Sequence, residues 1–210
     1  MLQHAPEVGF AVGRHNRFRE TSDGDREVFD TGYWPQTNCE GFLIATLEDN
    51  FAHMPGMLVR RTAYNDVGAF DENLTRSIDY DMTLRLARRF QPAMTDEVLF
   101  LQRQHSGQRG AQRDRFDAAV SVSKWIANDQ RIFNALHKAW PLECFAASNR
   151  IDSDSDRRAA LLQRGVVMAR KKLWLQALDD WREASSNLQS KLSAQDHTIL
   201  RRAFAGKYGV

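Results

Sequence analysis

A mixed α/β fold that passes into a mostly helical carboxy-terminal region is the expectation from this sequence, and three observations carry it. Within residues 1–112, apolar runs of strand length at 7–13, 56–60 and 97–101 alternate with turn residues and with one amphipathic helical stretch at 79–90. From Asp114 to Pro141, apolar residues recur at three- and four-residue steps. Between Arg157 and Leu188, small and aromatic residues recur as two packed helices require. The expected organisation is a sheet-containing part over 1–112, a helical connection over 113–150 and a helical hairpin with a tail over 151–210.

Taken in order, residues 7–13 (EVGFAVG) and 26–30 (REVFD) form a hairpin whose turn is Ser22-Asp23-Gly24-Asp25. Asp23 and Asp25 have the spacing of a metal-binding carboxylate pair, but Asp-Gly between two extended segments is a turn signal and is read as one. Residues 32–36 (GYWPQ) make an aromatic loop, and 40–49 (EGFLIATLED) a short helix turning Phe42, Leu43, Ile44 and Leu47 inward. Residues 56–60 read as a buried strand. Asp66 to Glu72 turn the chain, with Gly68 free to take positive φ and Phe70 available to the core. Ser77 is the expected cap of the next helix, with Asp79 and Asp81 in its first turn where the helix dipole favours carboxylates. Met82, Leu86 and Phe90 share one face, while Leu84 points elsewhere, so the helix is covered on more than one side. Pro92 ends it, and residues 97–101 (EVLFL) are a further buried strand.

Phe116, Trp125, Ile132, Phe133 and Leu136 outline the next helix. Residues 149–156 (NRIDSDSD) are polar, a linker or helix start. Trp174 and Trp181 lie two turns apart and should bury on one side, and the tail from Ser193 makes one more short helix. The formal net charge of +2, from 29 basic and 27 acidic residues, gives no global field pointing to nucleic acid or a membrane. Two distant cysteines, Cys39 and Cys144, suit reduced thiols of a cytoplasmic protein better than a disulfide framework. No apolar run reaches the roughly 18 residues of a membrane span, and the amino terminus lacks a signal-like apolar core.

Four short motifs in order carry a resemblance: Leu58-Val59-Arg60-Arg61, Val67-Gly68-Ala69-Phe70-Asp71-Glu72, Asp79-Tyr80-Asp81 leading into Leu84-Arg85-Leu86-Ala87, and Arg103-Gln104-His105. Over roughly residues 5–115 the chain resembles the acceptor-side half of a family 2 glycosyltransferase of GT-A fold. That resemblance implies a partial GT-A-like mixed sheet and an inverting transfer of sugar from a nucleotide-diphosphate donor to a glycan or lipid-linked acceptor. It also implies a divalent metal, Mg or Mn, in the complete enzyme. The family's donor-binding half, with its Asp-x-Asp, has no counterpart in these residues. The expectations are therefore a separately encoded donor half, inactivity of this chain alone, and a cytoplasmic location compatible with the inner face of a membrane. Residues 157–188 resemble a single tetratricopeptide hairpin through Gly165, Ala177, Trp181 and Ala184. One unit is too few for a solenoid, so an appended, packed hairpin is expected.

By resemblance Asp79 is the catalytic base. Its other reading is a carboxylate that merely favours the helix dipole. Successive helical residues turn about 100°, so Asp79 and Asp81 diverge by about 200° and do not share a site. Asp81 is an acceptor contact by resemblance, or a structural partner of a nearby Arg. Tyr33 and Trp34 can stack on an acceptor sugar or pack a lid. Arg103, His105 and Arg109 lie in a basic loop that is either solvated or, by resemblance, binds the donor diphosphate, with His105 also a metal ligand. A histidine beside strands can equally satisfy a backbone group. A non-catalytic interaction module derived from a transferase fragment is the alternative to the enzyme.

Overall fold

The computed structural model describes residues 5, 7–105, 107, 115–186, 191–206 and 208. It divides into two compact units, Met1–Phe42 with Asn50–Ser121, and Leu43–Asp49 with Val122–Val210. The mixture of strands and helices is that of an α/β chain.

The first unit is built on strand β1 (Phe10–Glu20). A hairpin turn at Ser22–Asp25, with Gly24 at φ 84°, returns the chain as β2 (Arg26–Thr31), antiparallel to the second half of β1. This is the turn that Asp-Gly indicates. Cross-strand pairs Arg17–Asp30 (3.0 Å) and Arg19–Glu27 (2.8 Å) line one face. Strand β3 (Met57–Val59) pairs antiparallel with Phe10–Val12, and β4 (Pro92–Arg103) runs parallel to β1 from Phe10 to Phe18. Residues 10–12 pair with β3 and β4, and 16–18 with β2 and β4. A strand has two edges, so β4 occupies one and β2 and β3 share the other end to end.

Helix α1 (Phe42–Glu48) leads to β3, and α2 (Arg61–Val67) and α3 (Ile78–Arg89) cross back to β4. A parallel strand pair needs such a crossover. Phe10, Val12, Phe42, Phe51, Tyr80, Met82, Leu84 and Leu86 are buried. Burial of Leu84 as well as Met82 and Leu86 means α3 is covered on more than one side.

Two apolar strands differ from expectation. Leu58 is 65% exposed, and Val98, Leu99 and Leu101 on β4 are also exposed. Among the described residues β4 pairs only with β1, and an edge strand with a thin cover leaves apolar side chains outward. Phe70 is exposed and lies beside Tyr64, the ring centroids 6.0 Å apart, rather than plugging the core.

In the second unit, α4 (Ser121–Ala139) is followed by a 3-10 turn at Leu142–Phe145 and by the hairpin of α5 (Asp154–Arg170) and α6 (Trp174–Ser186). Ser153 caps α5 by accepting from Asp156 N, and Ser193 and Asp196 form a capping box on α7 (Ala194–Arg201). A Cβ on Gly165 would lie 2.2 Å from Trp181 Nε1, so glycine is what lets α5 and α6 approach. Trp181 donates to Leu162 O at 3.3 Å. Trp174, the first residue of α6, is instead 36% exposed, with the Lys172 ammonium 5.8 Å from its ring centroid. The two tryptophans share a helix face but not an environment, because one lies at the helix crossing and the other at the helix end.

Several buried charges of this unit are paired. Asp180 accepts from Arg164 at 2.6 and 3.0 Å and lies 3.2 Å from His137 Nε2. Glu48 accepts from Gln163 and Arg202 at 2.8 Å, its carbonyl takes Lys171 Nζ at 3.0 Å, and Arg170 pairs with Asp49. No helix among the described residues is long and apolar enough to cross a membrane.

Candidate active site

Three short segments of the first unit converge on Asp79. The first is the start of α3. Its N-cap, Ser77, has left-handed backbone (φ 57°, ψ 22°) and makes no side-chain cap bond, contrary to the simple capping expectation. A non-glycine residue in this region costs about 1 to 3 kcal/mol and persists only where its surroundings impose it. One amide of the first turn is taken instead by Asp79, whose Oδ1 accepts from Tyr80 N at 2.9 Å. Tyr80, fully buried, anchors the turn.

The second segment runs from Asn50 to His53. Phe51 and Ala52 are buried, with Phe51 packed edge-on against Phe42 (5.1 Å) and Trp34 (5.3 Å). Their burial presents the flanking polar residues Asn50 and His53 to Asp79. The Asn50 amide acts on the carboxylate to favour its charged form, and His53 Nδ1 stands 3.9 Å from Oδ2.

The third is the middle of the β1–β4 ladder, where His15 pairs with Phe100. The His15 ring stacks on Phe100 at 5.1 Å and meets His53 edge-on at 4.7 Å. A Cβ at position 32 would lie 2.0 Å from His15 Nε2, so Gly32 is required by the imidazole beside it. His15 Nε2 is buried with no hydrogen-bond partner among the described residues.

The electrostatics follow from these contacts. Burial by itself raises the Asp79 pKa. The His53 contact, the Tyr80 N–H and the Asn50 amide outweigh it, and the net position is below the ordinary carboxylate value. Asp79 is thus held ionised, while its side chain stays 38% exposed and open to a ligand. His15 is lowered to about 4, first by burial, then by the neighbouring charges of His53 and Arg17 against the opposing Asp30, so it is neutral at neutral pH.

The other sequence candidates fall in different places. Asp81 faces away from Asp79 and takes Arg85 at 2.7 and 3.0 Å. The same guanidinium donates to the carbonyls of Val67 (2.7 Å), Gly68 (3.2 Å) and Ala69 (3.0 Å), and so braces the turn in which Gly68 adopts φ 84°. Trp34 packs on Phe51 and its indole N–H donates to Asp96 at 3.1 Å, whereas Tyr33 is exposed. Arg103 pairs with Glu20 at 3.1 Å at the end of the β1–β4 ladder. It lies three residues beyond Phe100, or about 10 Å along the strand. His105 follows it, and Arg109 lies outside the described residues. Among the described residues no three His, Cys, Asp or Glu side chains converge to hold a metal.

Asn50, His53 and His15 carry no motif in the sequence. The available signal for His15 is only a histidine in the polar stretch 14–17 that follows the apolar run ending at Val12, and for His53 a polar residue directly after the apolar pair Phe51-Ala52. No family model, no curated protein and no solved structure matches this chain.

Proposed function

We propose that the first unit is the acceptor-side half of an inverting sugar transferase of the family 2 type, with Asp79 as its base. The observation that carries this reading is the Asp79 carboxylate, which is ionised, partly open to solvent and fixed at a helix start behind a strained Ser77. In the reaction Asp79 takes the proton of an acceptor hydroxyl. That oxygen bonds to the anomeric carbon of a nucleotide-diphosphate sugar, and the bond from that carbon to the diphosphate breaks, its electron pair leaving with the nucleotide. Trp34 and Tyr33 supply aromatic surface for the acceptor, and Arg103 and His105 positive and hydrogen-bonding groups for the diphosphate. Asp81, engaged by Arg85, supports the loop behind the site.

The test is mass-detected sugar transfer by the purified chain, alone and mixed with or fused to a donor-binding half, against a panel of nucleotide sugars. Transfer only when the donor half is present, lost in Asp79→Asn, is the expected result. Absence of transfer with every donor and acceptor, together with no saccharide binding by titration, sinks the reading. One observation favours the alternative of an interaction module: Trp174, Leu175 and Leu178 on α6 are exposed apolar side chains. Under the transferase reading, Leu175→Glu leaves sugar transfer unchanged.

A further inference from the structure

We propose, on the transferase reading of this site, that His53 is the positioning residue of Asp79: Nδ1 of its imidazole, held in place by His15 and Phe100, orients the carboxylate toward the acceptor hydroxyl.

The geometry points this way for three reasons. The His53 ring is restrained by two other rings, edge-on to His15 at 4.7 Å and to Phe100 at 6.3 Å. Those two rings are themselves locked, His15 by its stack on Phe100 and by the closeness of Gly32, both within the sheet. The sheet therefore transmits its rigidity to a side chain at the mouth of the site. At 3.9 Å the Nδ1–Oδ2 pair is within ion-pair range but longer than a hydrogen bond, as catalytic contacts commonly are before substrate closes them. Asp79 Oδ1 is occupied by Tyr80 N, so His53 controls the oxygen that remains, and Asn50 steadies the same carboxylate. The ionisable group against His53 is His15 from β1, whose own charged neighbours are Arg17 of β1 and Asp30 of β2.

Two substitutions separate a positioning role from simple packing. His53→Phe keeps a ring against His15 and Phe100 and removes the nitrogen. His53→Asn places an amide nitrogen near the Nδ1 position and removes the ring. On the full chain, carbon-detected NMR of the Asp79 carboxyl is expected to titrate at higher pH in His53→Phe, and in His53→Asn between that variant and wild type, since the amide restores a donor but not the imidazolium charge. With a donor-binding half supplied, kcat in His53→Phe is expected to fall about 10- to 100-fold with the acceptor KM unchanged, since misplacing a reacting group costs on that order. The acidic limb of its pH profile should move up with the carboxyl, and His53→Asn should restore much of the rate. An Asp79 titration identical in wild type and a folded His53→Phe overturns the positioning role, whatever reaction the site performs. If the titration moves as stated but wild-type chain transfers no sugar with any donor half, the transferase reading is overturned and the His53–Asp79 pairing stands.

Discussion

Asp79 and Asp81 differ by one turn-sharing residue, yet their surroundings separate them completely. Asp81 is bound by a guanidinium that also takes three loop carbonyls, whereas Asp79 keeps a carboxylate edge open beside His53. Asp79→Asn preserves shape and removes the base, so turnover with a donor half present is expected to fall by about 10² to 10⁴ with little change in donor affinity. Asp81→Asn should instead lower the melting temperature through the loop brace, and a larger kinetic loss there than at position 79 would contradict the assignment. His15 gives a pH prediction with a definite sign. Its pKa falls from 6.5 in the unfolded chain to about 4 when folded, so the unfolded state binds the extra proton between these values. The stability it contributes is complete above pH 6.5 and is lost as pH falls toward 4. Chemical denaturation of wild type across that window should show a slope that is flatter in His15→Gln. Equal slopes would show that His15 titrates normally in the fold. Asp79, also lowered, acts in a more acidic window, its contribution being lost as pH falls through its folded pKa.

At the scale of elements, the α5–α6 hairpin is where packing overrides propensity. Alanine in place of a mid-helix glycine gains about 0.8 to 1.0 kcal/mol of helix propensity. At Gly165 the new methyl meets the Trp181 ring, its Cβ 2.2 Å from Nε1, and overpacking costs about 1 to 3 kcal/mol. The second effect wins, so Gly165→Ala is expected to lower the melting temperature, and a rise would refute the close crossing. Trp181→Ala removes the same contact from the other side and, Trp181 being half-buried, should cost somewhat less than the roughly 3 to 5 kcal/mol of a fully buried tryptophan. Trp174→Ala, at the more exposed end of α6, should cost much less. Calorimetry of the three variants ranks them directly.

On the scale of the whole molecule, chain order and compact units do not coincide. Residues 43–49 belong with the helical unit, and Glu48 and Asp49 find their cationic partners on α5, just after it and beyond α7, at Arg170, Lys171 and Arg202. Removing one side of a buried charged pair leaves the other uncompensated, a loss of about 3 to 5 kcal/mol. Truncation after Asn149 is therefore expected to destabilise what remains and to expose Leu43 and Leu47, seen as aggregation in size-exclusion chromatography. A truncated chain that stays monomeric and melts cooperatively at the original temperature would show instead that the helical hairpin is separable.

What the sequence determined by itself is local. Asp-Gly set the β1–β2 turn, Gly68 the turn after α2, periodicity the course of α3, and the 100° step the separation of Asp79 from Asp81, while the α5–α6 hairpin was legible through the spacing of Gly165, Ala177, Trp181 and Ala184 that resembles a tetratricopeptide unit. These features depend on residues within a turn or two of one another. The exposure of Leu58 and of the β4 apolar residues was not legible, because periodicity tells which residues share a face and not whether another element covers it. Nor was the surround of Asp79. Asn50 and His53 come to it from a loop, with His15 behind His53 on a strand, and only the parallel β1–β4 pairing and the α3 crossover bring that loop and strand beside the helix start. Contacts between residues so distant along the chain are fixed by how elements pack, so the tertiary structure alone decided which side chains surround the carboxylate.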